Sequence, residues 1–310
     1  MKARKVSYIL LVWCLMLITF ASCDSNENVR LMFNEVEGGY QVYGVAGWER
    51  LYNVSSIYIP SEYNGKPVVA IADNAFSGYT SLLGVSIPNT VKTIGCEAFS
   101  GCILLQRIDI PDSVTHIEGR AFKDCIGLTE INIPDSVIQI GSNAFDNCDS
   151  LNYKYYDNFK YLGNSNNPYL FVVGIAWDMP SHELHPDTKV ICDSALTNCE
   201  NMKSIVIPDG IVNIGQGVFY NCAALTYVAI PDGITTIGRS AFCSCEGLTS
   251  IVLPDSLKMI EEFAFSDCIN LKDVYYTGSQ ESWAKIVIGK YNDSLTNANI
   301  TYNYIAPANG

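Results

Sequence analysis

Apolar pairs recur along this chain at a fixed spacing of 23 residues: Ala75-Phe76, Ala98-Phe99, Ala121-Phe122 and Ala144-Phe145, then Val218-Phe219, Ala241-Phe242 and Ala264-Phe265. Ala195-Leu196 falls one period before Val218-Phe219 and reads as a degenerate eighth copy. A constant period of roughly 20–50 residues means that each unit is one piece of supersecondary structure, obliged to bury its apolar face on its neighbours. The chain is expected to be one elongated stacked coil.

The clearest unit runs from Leu105 to Cys125. Ile108 and Ile110 share one side of an extended segment, with Asp109 on the other. Pro111 ends the strand by removing a donor, and Asp112-Ser113 supply a turn. Val114 and Ile117 return to the core, Gly119 breaks the second extended stretch, and Ala121-Phe122 is expected on a short helical turn. Each coil buries seven or eight apolar side chains, at most about 1.5–3 kcal/mol apiece. Ordering its residues costs about 1.5 kcal/mol each, so an isolated coil should not fold.

Solenoid ends need covers. Residues 31–67 read as an N-terminal cap, since Gly38-Gly39-Tyr40 separates two alternating apolar runs as a hairpin turn would. Repeats occupy 68–270. Residues 271–310 form a C-terminal cap and tail, with a helical piece around Trp283 and a final strand Ile300–Tyr304. The repeat is interrupted once: Phe145 to Leu196 spans 51 residues instead of 23, an insertion of 28 at about 152–187.

The pattern Leu-x-x-Ile-x-Ile-Pro-Asp-Ser-Val-x-x-Ile-Gly-x-x-Ala-Phe-x-x-Cys resembles the BspA-like leucine-rich repeats of bacterial surface proteins. Ile59-Pro60 through Gly65-Lys66-Pro67-Val68, and Tyr275-Tyr276-Thr277-Gly278, are similar to that family's entry and exit units. The resemblance implies a β-rich leucine-rich-repeat solenoid, with a parallel strand and short helical turn per coil, a hairpin N-cap and an α/β C-cap. It implies no catalytic residues and no cofactor, and a binding role at the cell surface, such as adhesion to a host matrix or microbial protein. Two positions depart from the pattern: Gly78-Tyr79 stands where Cys is expected, and Leu196 replaces Phe.

Lys2, Arg4 and Lys5 precede an apolar run from Val6 to Phe20, too short to span a membrane comfortably. Phe20-Ala21-Ser22-Cys23 resembles a bacterial lipobox, which implies a signal peptide over 1–22 and diacylglycerol on the Cys23 thiol. Secretory cleavage elsewhere and a retained anchor are the alternatives. Residues 23–30 read as a polar tether. The expected location is the outer membrane, lipid-anchored, at the cell surface. Removing three of 19 basic groups and none of 32 acidic ones leaves 16 against 32, a formal charge of −16. Such a charge repels phosphate backbones and anionic headgroups, which argues against nucleic acid and leaves the lipid anchor as the only membrane contact.

Cys102, Cys125 and Cys148, then Cys199, Cys222, Cys245 and Cys268, occupy one position per coil. Equivalent Cβ atoms in stacked coils lie about 4.8 Å apart, beyond the roughly 3.8 Å of a disulfide, so these are expected to be a ladder of buried free thiols. Cys96, Cys192 and Cys243 are off the ladder and could pair or remain free. No Cys-x-x-Cys occurs, and Cys243-Ser244-Cys245 alone is a weak metal signal. His182 and His185 are three apart with Pro186 following, so the zinc-protease helix motif is not met and loop histidines are expected. Gly215-Gln216-Gly217 lacks the third glycine of a dinucleotide loop. Asp112-Ser113-Val114 and Asp135-Ser136-Val137 resemble an O-glycosylation motif of some Bacteroidota, and the strand-to-strand turn demands the same residues.

Two surfaces are candidates for binding. Strand positions between core residues face outward and vary while the core repeats; they include Arg107, Asp109, Glu130, Asn132, Tyr153, Tyr155 and Tyr227. The insertion carries Tyr155, Tyr156, Phe159, Tyr161, Tyr169, Phe171 and Trp177. Such aromatics can stack on sugars or anchor proteins, with Tyr169 and Trp177 the candidates, or they form the core of a hairpin. A protein ligand on the strand face is the first expectation and a glycan on the insert, linked to carbohydrate uptake, the second. Labelled palmitate should be incorporated by the full chain in a bacterial host and lost in Cys23→Ala; incorporation by the variant would refute lipidation at that thiol.

Overall fold

The computed structural model describes residues 29–47 and 54–305; Cys23 and the tether's start lie outside them. The described chain winds as a β-solenoid with two parallel ladders. In the first, Ser56–Tyr58 pairs with Gly84–Ser86 and Arg107–Asp109 with Glu130–Asn132. After the insertion, the strands Ser181–Glu183, Ser204–Val206, Tyr227–Ala229, Ser250–Leu253, Asp273–Tyr276 and Asn299–Thr301 form one sheet. In the second ladder, Lys66–Ile71, Thr93–Ile94, His116–Ile117 and Gln139–Ile140 stack in turn.

A third ladder lies at the Ala-Phe turns. There the backbone closes i→i+3 hydrogen bonds, such as Cys125 N to Phe122 O at 3.2 Å. The short helical turn thus takes the form of overlapping tight turns, bounded by left-handed residues such as Arg120 (φ 56°) and Asp124 (φ 59°). That geometry divides the N–H groups. Ala121 and Lys123 donate within their own coil, whereas Arg120, Phe122 and Asp124 donate to Ser142 O, Ala144 O and Asp146 O of the next, at 3.0, 2.8 and 2.8 Å. The second left-handed position carries Gly78, Gly101, Asp124, Asn147, Asn198, Asn221, Ser244 and Asp267, mostly the short residues that tolerate it.

Inside this ladder the Phe rings align. Phe76, Phe99, Phe122 and Phe145 stack at 5.5, 5.4 and 5.5 Å, and Phe219, Phe242 and Phe265 at 5.0 and 5.2 Å. The cysteines line up beside them as free thiols, and Cys96, Cys192 and Cys243 are likewise unpaired. The thiols also bond between coils: Cys125 Sγ donates to Phe99 O at 3.2 Å, Cys148 Sγ to Phe122 O at 3.0 Å, and Cys245 Sγ to Phe219 O at 3.0 Å. The Asp-Ser turns are used in the same way. Ser113 Oγ donates to Val91 O at 2.6 Å and Ser136 Oγ to Val114 O at 2.8 Å, which accounts for the serines structurally.

The caps complete the ladders. Leu31–Val36 and Gly39–Val45 form an antiparallel hairpin whose second strand runs parallel to Lys66–Ile71. At the other end two short helices, Gln280–Trp283 and Asp293–Thr296, precede the last strand. The insertion is an extra, irregular coil. Lys154–Tyr156, Phe159–Leu162 and Phe171–Ile175 make an antiparallel meander, and the last pairs in parallel with Val190–Ile191. Phe159, Tyr161 and Phe171 are fully buried, joining the apolar interiors on either side. Most insert aromatics are therefore core.

The loop expectation holds for His185, which lies outside any strand or helix, and fails for His182. His182 sits on strand Ser181–Glu183 in register with Ile205, its side chain buried, and its Nε2 accepts from Met179 N at 3.0 Å. The insertion shifts where the strand resumes, and Ser-His-Glu alternates out, in, out, placing the ring at an isoleucine position. His185 is partly buried and stacks on Tyr169 at 3.9 Å.

Two predictions follow from the stack. Phe122 is fully buried between two rings, so Phe122→Ala should cost about 3–5 kcal/mol in urea unfolding. Phe145→Ala, with one stacked neighbour, should cost less; equal costs would contradict a ring column broken at Phe145. Burial pushes the thiols of Cys102, Cys148 and Cys245 up to about 12. In the unfolded chain a thiol ionises near 8.5, so above that pH the unfolded state sheds protons that the fold retains. Stability should then fall by about 1.4 kcal/mol per pH unit per thiol. The urea midpoint should decline from about pH 9 upward, and less steeply when these three cysteines are changed to Ala; identical slopes would contradict this.

Candidate binding surface

The first ladder sends alternate side chains inward and outward, and its outward rows differ on the two sides of the insertion. On the N-terminal side they are polar. Arg107 meets Asp109 Oδ1 at 3.1 Å and Glu130 Oε2 at 3.4 Å, all three exposed. Exposed pairs of this kind contribute little to stability. Arg107, Asp109, Glu130 and Asn132 line a cleft of about 500 Å³, and Lys154 and Asn164 of the insertion close its other side. Asn164 is fixed there, its Nδ2 donating to Asp135 Oδ1 at 2.7 Å and its Oδ1 accepting from Asn166 N and Asn167 N at 3.0 Å.

On the C-terminal side one outward row carries Val206, Ala229, Val252 and Tyr275 between Glu183 and Thr301, and the other carries Tyr227 among Ser204, Ser250 and Asp273. Val206 and Tyr227 are exposed, Val252 is buried, and the Tyr275 ring is 4.6 Å from Tyr304. Burial, then the neighbouring Tyr304 and Tyr275 phenols, raise the Tyr227 hydroxyl above its ordinary range. Tyr227, Tyr275 and Tyr304 are thus one group. Tyr304 belongs to the C-terminal cap, where no repeat position marks it as a surface residue.

The other singled-out residues separate. Tyr155 and Trp177 are exposed, Trp177 at 66%. Tyr169 is packed among Tyr156, Tyr161 and His185. Tyr153 does not face outward with Tyr155. It is half-buried, its hydroxyl donating to Phe145 O at 3.4 Å and its ring beneath Lys160 Nζ at 5.5 Å. The meander strand starts at Lys154, and Tyr153 turns back toward the Phe145 backbone. Among the described residues no cluster of three or more His, Cys, Asp or Glu is arranged to hold a metal ion.

Among solved structures, the chain is similar to the T. pallidum leucine rich repeat protein, at 26% identity over 73% of this chain and 90% of that one, with a TM-score of 0.41. It is similar to a leucine rich cell surface protein from Faecalibacterium prausnitzii, at 24% identity over 85% and 97%, TM-score 0.41. A leucine-rich repeat protein from Bacteroides ovatus is 22% identical over 91% and 71%, TM-score 0.39. No curated protein matches the sequence. The BspA type leucine rich repeat pattern matches in six copies over residues 49–166 and 178–304, so the chain belongs to the BspA-type leucine-rich repeat family.

Proposed function

We propose that this chain is a non-catalytic binding protein displayed at the cell surface through lipid on Cys23, and that it recognises a protein ligand with the outward rows of its first ladder. One observation carries the reading. Core positions are repeated and buried from coil to coil, while outward positions on the same strands vary, from Arg107, Asp109 and Glu130 before the insertion to Val206, Tyr227 and Tyr275 after it. The tyrosine group is the anchor of that surface. Aromatic side chains offer large contact area at low entropic cost and dominate protein interfaces. The charged cleft beside Arg107 supplies orientation more than affinity. A partner of the kind bound by surface adhesins, such as a matrix protein, fits this division.

A second reading rests on Trp177, whose exposure on the insertion is what a sugar-stacking platform requires. Binding to a panel of matrix proteins such as fibronectin and to a glycan array separates the two. On the first reading, Tyr227→Ala weakens capture of a bound protein at least tenfold and leaves the unfolding midpoint unchanged, because the side chain is exposed. Trp177→Ala then has no effect. Glycan capture that is lost in Trp177→Ala and retained in Tyr227→Ala would instead establish the sugar reading.

A further inference from the structure

At six Ala-Phe-type turns all three upward N–H groups meet carbonyls of the next coil; at Phe99, for example, Glu97, Phe99 and Gly101 donate to Gly119 O, Ala121 O and Lys123 O. The turn at Phe145 differs. Among the described residues no protein acceptor meets the N–H groups of Asn143, Phe145 and Asn147. On the other side of the insertion the matching carbonyls of Asp193, Ala195 and Thr197 receive no protein donor among the described residues. The insertion supplies strands at this level but no Ala-Phe turn, so the third ladder skips one rung.

The two rows face one cavity of about 320 Å³. Asn143, Phe145 and Asn147 line one wall, Asp193 and Ala195 another, and Val173, Gly174 and Ile175 of the meander a third. The lips are joined at one edge, where Asp193 N donates to Ile140 O at 2.9 Å and Ser142 Oγ lies 2.9 Å from Ser194 Oγ. Elsewhere the fold covers two of three such donors with its own chain, leaving Asp267 N without a protein acceptor among the described residues. At the last coil Phe263 N donates to Lys290 O at 3.0 Å and Phe265 N to Asn292 Oδ1 at 2.8 Å. Backbone groups in a cavity need partners.

The geometry points to a binding site for a short peptide segment, whose main chain takes the place of the skipped rung. Its carbonyls accept from Asn143, Phe145 and Asn147, its N–H groups donate to Asp193 and Ala195, and one apolar side chain rests against Phe145, Val173 and Ile175. The volume lies at the lower end of the roughly 300–1,000 Å³ of ligand pockets, which suits a few residues and no folded domain. Asp146, Asp149 and Asp193 border the cavity; Asp146 is paired with Lys123 at 3.3 Å, and the other two face one cation of the lining, Lys160, so a segment with a basic residue beside the apolar one fits best. Recognition of this kind extends a protein's own hydrogen-bond ladder with a foreign strand. The site is separate from the outward strand face.

The probe is acetyl-Gly-Arg-Ala-Phe-Lys-Asp-amide, the turn sequence of Gly119–Asp124, titrated into the mature chain and followed by backbone amide NMR. Saturable shifts at Asn143, Phe145 and Asn147 are expected, with affinity at least tenfold weaker when Gly replaces the probe's Phe. Gly174 has an ordinary backbone angle, and a Cβ added there meets nothing within 4 Å. Gly174→Phe should therefore fill the cavity and weaken probe binding at least tenfold, with the amides of the Arg107 and Tyr227 strands unmoved. Absence of shifts at millimolar probe in the wild-type chain would overturn the proposal. So would equal binding of the Gly probe, or equivalent shifts from inorganic phosphate or glucose.

Discussion

Everything in this solenoid depends on how the Ala-Phe turn shares its N–H groups, half inward to its own coil and half upward to the next. Two left-handed residues per turn make the division possible. For a residue with a side chain that conformation costs about 1–2 kcal/mol, least for Asn and Asp, and Glu97, Arg120 and Phe263 hold it at the less discriminating of the two positions. The cost is offset only when a neighbour supplies the upward acceptors. A turn without a partner coil has bent itself and left its donors unsatisfied. Stacking is therefore a condition of the backbone's path as well as a source of apolar burial.

The same turn organises the interior. It aims the Phe rings along the stack at about 5–5.5 Å, and it places the thiols of Cys102, Cys125, Cys148, Cys245 and Cys268 under the Phe carbonyl of the preceding coil. Glycines hold the neighbouring corner close: a Cβ on Gly141 would collide with the backbone of Glu118 and Gly119. With three ladders and a packed column setting the inward side, the outward side chains are released from structural duty. A recognition surface can then change sign and polarity from one coil to the next, as it does between Arg107 and Tyr227, without disturbing the scaffold beneath.

Much of this was legible in the chain. The 23-residue period placed Phe99, Phe122 and the cysteines on shared columns, and alternation placed Arg107 and Asp109 outside and Ile108 inside. Inside the repeat, each position is fixed by its copy one coil away. In the insertion no copy exists, and reasoning from position failed there: Tyr153 turns back onto Phe145, and His182 takes an isoleucine's place. Tyr304 joins Tyr227 through a cap whose path no period sets. The skipped rung at Phe145 was invisible for a related reason, because a gap in a hydrogen-bond ladder comes from what the insertion fails to supply at that level, not from any residue type.

The claim that coils are held by the shared turn ladder is tested most directly by residue-resolved amide hydrogen exchange on the folded chain. The N–H groups of Phe99, Phe122, Phe219 and Phe242, which donate to the next coil, should exchange only with opening of the stack. That of Phe145, whose ring is also buried but whose turn lacks an upper partner among the described residues, should exchange orders of magnitude faster. Rapid exchange at Phe99 and Phe122, or protection of Phe145 equal to theirs, would contradict the account.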